Sequence, residues 1–112
     1  MSVYKITVLV VETDRKPYLK TMNNKLIEFN RIVDGNIELI EYERNVLLIC
    51  SDEELHQKEF NQTIGEHKIY GTFFFCSYVG SEFLSINDLQ LKYIERMYNI
   101  IESGPPVLDH RS

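Results

Sequence analysis

Basic charge is scarce in this chain. Twelve lysines and arginines face seventeen aspartates and glutamates, leaving a net charge of −5. Gripping a phosphate backbone needs a concentrated basic face. The nearest cluster, Lys16, Lys20 and Lys25, is interleaved with Glu12, Asp14 and Glu28. Direct nucleic-acid binding is therefore not expected. The acidic excess is not arranged as a mimic of DNA either. Asp52-Glu53-Glu54 is too short a run and reads as a solvated loop.

Cysteine is equally sparse. Cys50 and Cys76 each sit inside an apolar run, with no CxxC spacing and no histidine placed beside them in a zinc pattern. Two buried thiols in a reducing compartment is the expectation. No hydrophobic run is long enough to cross a bilayer. Val3 to Val11 is broken by Lys5, and no cleavage site follows it. A cytoplasmic protein without a membrane partner is expected.

Catalytic signatures are missing too. There is no GxSxG elbow, Walker A loop, dinucleotide fingerprint or HExxH helix. Neither cysteine has the exposed, electropositive setting a thiolate nucleophile requires. Asp52, Glu53 and Glu54 with His56 are adjacent on a turn, where side chains seldom converge on a metal. No catalytic residue, metal or cofactor is assigned.

What is present is an ordinary globular composition, 44% apolar and 26% charged, in a chain of 112 residues. That fits one domain, 1–104, with a tail over 105–112. The most apolar stretch, Ile69 to Val79, carries Phe73, Phe74 and Phe75 in succession. It reads as a central strand buried on both faces.

The other elements follow in order. Val3 to Glu12 is a strand rich in Val and Ile. Tyr18 to Met22 is a short second strand after the turn at Pro17. Asn23 or Asn24 is expected to cap a helix whose stripe is Leu26, Phe29, Ile32 and Val33, with Gly35 as its left-handed stop. Asn36 to Glu43 and Val46 to Cys50 read as a hairpin. The first of these is a plausible edge strand, guarded by Glu38, Glu41 and Glu43. Ser51 to His67 reads as a long loop with at most one helical turn. A last helix opens at Ser85, with Asp88 completing a capping box, and closes at Gly104-Pro105-Pro106. Its stripe is Leu91, Ile94, Met97, Tyr98 and Ile101. Strand and helix do not alternate strictly. The expected class is α+β, a mostly antiparallel sheet of four to five strands with two helices packed on one face.

Ligand sites gather where strand ends meet loops. Here that selects Ser51 and Asp52 leaving one strand, Asn61 in the long loop, and Thr72 beside Gly71 at the entry to the aromatic strand. Gly71 also suits a bulge or a close approach.

Several short motifs, in order, resemble one known family. They are Val10-Val11-Glu12, Lys16-Pro17, Lys25-Leu26-Ile27-Glu28 running to Ile32-Val33-Asp34-Gly35, Asn36-Ile37-Glu38, Leu48-Ile49-Cys50 and Gly71-Thr72-Phe73-Phe74. From about Lys5 to about Leu91 the chain resembles domain-of-unknown-function family 3846. The family's usual Asn-Arg-x-Ala falls at Asn61-Gln62-Thr63-Ile64, where only the Asn matches. The resemblance implies bacterial, phage or mobile-element company and no assigned reaction. With the missing catalytic motifs it suggests a small non-enzymatic binding module acting on a host protein or a small polar ligand, or pairing as a homodimer. The alternative is a small hydrolase or nucleotide-processing enzyme using the acidic loop with His56 or His67.

Overall fold

The computed structural model describes residues 4–52, 58–97 and 107–108. The strands are β1 (Lys5–Val11), β2 (Tyr18–Asn23), β3 (Ile37–Glu43), β4 (Val46–Ser51), β5 (Phe60–Ile64), β6 (His67–Tyr70), β7 (Phe73–Val79), β8 (Glu82–Leu84) and β9 (Val107–Leu108). The helices are α1 (Leu26–Val33) and α2 (Asp88–Met97). The fold is α+β. Its main sheet runs β3-β4-β7-β1-β2-β9, with β8 also paired to β7. This is more than the four to five strands expected. All of its pairings are antiparallel except β2 with β9. Val107 and Leu108, expected in a tail, form that parallel edge beside Tyr18 and Leu19.

The aromatic strand sits at the centre, as its composition demands. Phe73 to Ser77 are buried in succession, and so are Val46 to Cys50 in the neighbouring β4. A strand can be apolar on both sides only if both faces of the sheet are covered. They are, and by different helices. One face carries Ile6, Val8, Val10, Leu47, Ile49, Phe74 and Cys76 under Phe29 and Val33 of α1. The other carries Leu9, Val11, Leu48, Cys50, Phe73 and Phe75 under Ile94 of α2 and Ile69 of β6. The expectation of both helices on one face is thereby corrected. Alternation along β1, β4 and β7 supplies two apolar faces, and each needs a cover.

Four local expectations are also revised. Ile69 to Val79 is not one strand. Gly71, at φ +79, ends β6 and lets the chain turn into β7. Ser51 to His67 is not all loop, because β5 and β6 pair as a separate hairpin through Phe60↔Tyr70 to Ile64↔His67. The left-handed stop of α1 is Asp34, at φ 59, rather than Gly35. Neither Asn caps α1. Lys25 takes the N-cap without a side-chain bond, and Asn24 Nδ2 donates to the Phe83 carbonyl at 3.1 Å. The close of the last helix, with Tyr98 and Ile101, lies outside the described residues.

The start of α2 shows why Ser85 misled. Asn87 and Gln90 make the reciprocal pair. The Gln90 N–H donates to Asn87 Oδ1 at 2.8 Å, and the Asn87 N–H donates to Gln90 Oε1 at 3.0 Å. Ser85 Oγ instead accepts the Thr7 N–H at 2.8 Å. The Ile86 N–H donates to the Thr7 carbonyl at 2.9 Å. Beyond the last β1–β7 pair, β8 takes the place of β1 beside β7, and these two bonds tie its exit to β1.

Candidate functional site

On the α2 face of the sheet the β5–β6 hairpin lies over the end of β4. A cleft of about 260 Å³ opens between the hairpin and the outer strand β3. Its floor is Ile40, Cys50 and Ile69, and its polar wall holds Glu38, Ser51, Asp52, Glu66, His67, Lys68 and Tyr70. Alternation builds it. Glu38 and Ile40 share one face of β3, and Glu38 is registered with Cys50 across the ladder. Ile69 is buried against the same core as Cys50, so β6 is seated by that side chain while His67 and Lys68 stay exposed and Tyr70 is half-buried.

Two of the four residues singled out from sequence line the cleft and two do not. Ser51 and Asp52 stand at its edge, where β4 ends. Asn61 serves as a latch. Its Nδ2 donates to the carbonyls of Gly71 at 2.8 Å and Val11 at 3.2 Å, tying β5 to the β6–β7 corner and to the end of β1. Thr72 is half-buried at that same corner, beside Gly71 and away from the cleft lining. At Gly71 the close neighbour is the Lys58 side chain, 2.7 Å from where a Cβ would stand.

Sequence reasoning missed Glu38, Ile40, Glu66, Lys68, Ile69 and Tyr70 as cleft residues. The signal was there in part. Thr63, Ile64, Gly65 and Glu66 suit a hairpin turn, with Gly65 at φ 61. Of the acidic loop and its histidines, Asp52 and His67 meet at the cleft, whereas Glu53, Glu54 and His56 lie outside the described residues.

Three carboxylates, Glu38, Asp52 and Glu66, face the cleft with Lys68 as the one lysine. The Cys50 thiol is pushed up to about 12, first by burial and then by Glu38 and Asp52. At neutral pH it is a thiol and not a nucleophile. Cys76 is likewise pushed up to about 12, by burial alone. Among the described residues no three His, Cys, Asp or Glu side chains are grouped to hold a metal ion. Among them, too, no helix is long and apolar enough to cross a membrane.

A two-faced antiparallel sheet with one helix on each side and an acidic cleft at its edge defines a small α+β domain. The chain belongs to the family described as a domain of unknown function (DUF3846), whose model matches residues 6–99. No curated protein and no solved structure matches it.

Proposed function

We propose that this chain is a small non-enzymatic binding module, encoded by a phage or mobile element, that acts on a host protein or sequesters a small polar ligand. The cleft between β3 and β6 carries the reading. It joins an apolar floor to a rim of carboxylates, hydroxyls and one imidazole, the composition of a recognition site. The protonated Cys50 in its floor supports binding over covalent chemistry. Two unpaired buried thiols suit a reducing compartment such as the cytoplasm.

Native mass spectrometry of the protein purified from its own cells tests the reading. A retained small mass, lost when Tyr70→Ala or His67→Ala is introduced, is the expected result. A bare chain that keeps no ligand and no partner counts against it.

One observation favours a second reading, a small hydrolase or nucleotide-processing enzyme. Asp52 and His67, an acid and a base by type, line the same cleft. That reading requires turnover of a phosphate or acyl ester that vanishes in both Asp52→Asn and His67→Ala.

A further inference from the structure

The outer edge of β3 is unusual for its charge and for what stands beside it. β3 ends the main sheet, and no strand among the described residues pairs with its far side. The Asp52 N–H donates to the Asn36 carbonyl at 2.9 Å, which fixes the phase of the β3–β4 ladder. Residues on β3 alternate between bonding inward and pointing their backbone outward. Counting from Asn36, Glu38 and Ile40 bond to β4, while Ile37, Leu39 and Glu41 turn their N–H and C=O groups away from the sheet. A seven-residue edge therefore offers three residues' worth of open ladder.

Charge narrows what can dock there. Glu38, Glu41 and Glu43 are all exposed along the strand. Tyr78 donates to Glu41 at 2.9 Å and the Arg44 N–H donates to Glu43 at 3.1 Å. Glu12 pairs with Arg15 and Glu28 with Arg31, both away from this edge, and Lys68 is the lysine among the cleft residues beside it. A second copy docked β3 to β3 would set these glutamates against each other, which disfavours a homodimer here.

The two faces of the edge differ. On the cleft side stand Glu38 and Ile40, with Asp52 and Glu66 beyond them. On the α1 side stand Ile37, Leu39 and then Glu41, which accepts from the Tyr78 hydroxyl, and Leu39 is 48% exposed. An added strand would meet the Glu38 acid and its cleft neighbours on one face, and on the other the apolar pair Ile37 and Leu39, bounded by Glu41.

Resting on the binding reading above, we infer that the partner is an extended polypeptide segment with alternating basic and apolar residues. It adds to the sheet as a strand beside β3. Its lysine or arginine side chains enter the cleft toward Glu38, Asp52 and Glu66, and its apolar residues cover Leu39. Main-chain bonds supply affinity and the alternate side chains supply selectivity, as in other strand-addition complexes.

The test uses the full chain and synthetic peptides of about seven residues alternating lysine with valine. Hydrogen exchange and amide chemical shifts are read together. With peptide about tenfold above its Kd, the amides of Ile37, Leu39 and Glu41 slow by about tenfold. Glu38→Gln weakens binding by about two- to fivefold, and so does added salt. A peptide methylated on the amides that face β3 does not bind. Leu39→Pro removes one outward N–H without touching the β4 ladder and abolishes binding, with folding verified by thermal unfolding.

If the glutamate version of the peptide binds equally, or the lysine version binds without slowing these three amides or not at all, the inference is overturned. The edge carboxylates then serve only to keep strands apart. Should a small ligand still shift His67 and Tyr70 in that case, the binding reading survives alone. Should neither bind, both fall.

Discussion

Cys50 and Cys76 lie on opposite faces of one sheet. Leu47 of β4 is registered with Cys76 of β7, and Cys50 stands three positions further along β4, an odd step that turns it to the other side. Cys50 packs beside Leu48 and Phe75 and Cys76 beside Ile49 and Phe74. Both are free and buried.

A pH dependence follows. Both thiols are pushed from 9.0 up to about 12 by burial, with Glu38 and Asp52 adding to the effect at Cys50. The folded state holds these protons more tightly than the unfolded chain does. Stability is full below pH 9 and falls as pH rises through the window from 9 toward 12. Tyr42, raised by burial, then by Tyr93 and Glu43, adds to the same alkaline loss. Urea midpoints measured across this range are expected to drop in the native chain and to drop less steeply in Cys50→Ala/Cys76→Ala. An equal slope in both proteins would disprove the assignment.

Asn61 holds the corner that carries the cleft. Asn61→Ala leaves the Gly71 and Val11 carbonyls without this donor. The expected loss is about 1–3 kcal/mol in chemical unfolding. Amide exchange in β5 and β6 should rise more than in β4 and β7, because the bond ties the hairpin to the main sheet. Uniform destabilisation would argue against a latch.

Gly71 is needed for two separable reasons. Its φ of +79 costs a side chain about 1–2 kcal/mol, and a Cβ there meets Lys58 Cδ at 2.7 Å. Gly71→Ala is expected to destabilise the chain. Adding Lys58→Ala should recover the contact part and leave the backbone part. A double-mutant cycle checks this, and zero coupling would mean the lysine simply moves aside.

The cap of α2 is Asn87. Asn87→Ala should cost about 1 kcal/mol and loosen α2. Ser85→Ala breaks the bond from the Thr7 N–H, so its loss should show in β1 and β8. Exchange rates in α2 against those in β1 separate the two. A larger α2 effect from Ser85→Ala would reverse the assignment.

Phe74 is the keystone of the α1 face. It is fully buried, and its ring meets Phe29 edge-on at 5.4 Å. Phe74→Ala should cost about 3–5 kcal/mol, a large share of the margin of a domain this size. Thermal unfolding shows it as a loss of many degrees. A drop of only one or two degrees would place Phe74 outside the core.

The sequence by itself determined the local elements. Apolar runs rich in β-branched residues demanded β1 and β4, an aromatic run demanded β7, the Leu26-Phe29-Ile32-Val33 stripe demanded α1, and three consecutive phenylalanines demanded a centre covered on both sides. It also named Ser51 and Asp52 as strand-end residues, because a chain leaving a buried strand exposes polar groups there. What only the tertiary structure decided was which partners met. Periodicity reports how a side chain faces relative to its own strand and not what lies across from it. The two helices could therefore not be assigned to opposite faces from pattern alone. Asn61 and Ser85 carry the polar atoms expected of a site and a cap, but long-range carbonyls and amides claim them. The cleft itself exists because Ile69 docks β6 onto the core beside Cys50. That contact joins residues 19 positions apart, and it is chosen by the shape of the packed core and not by any local signal.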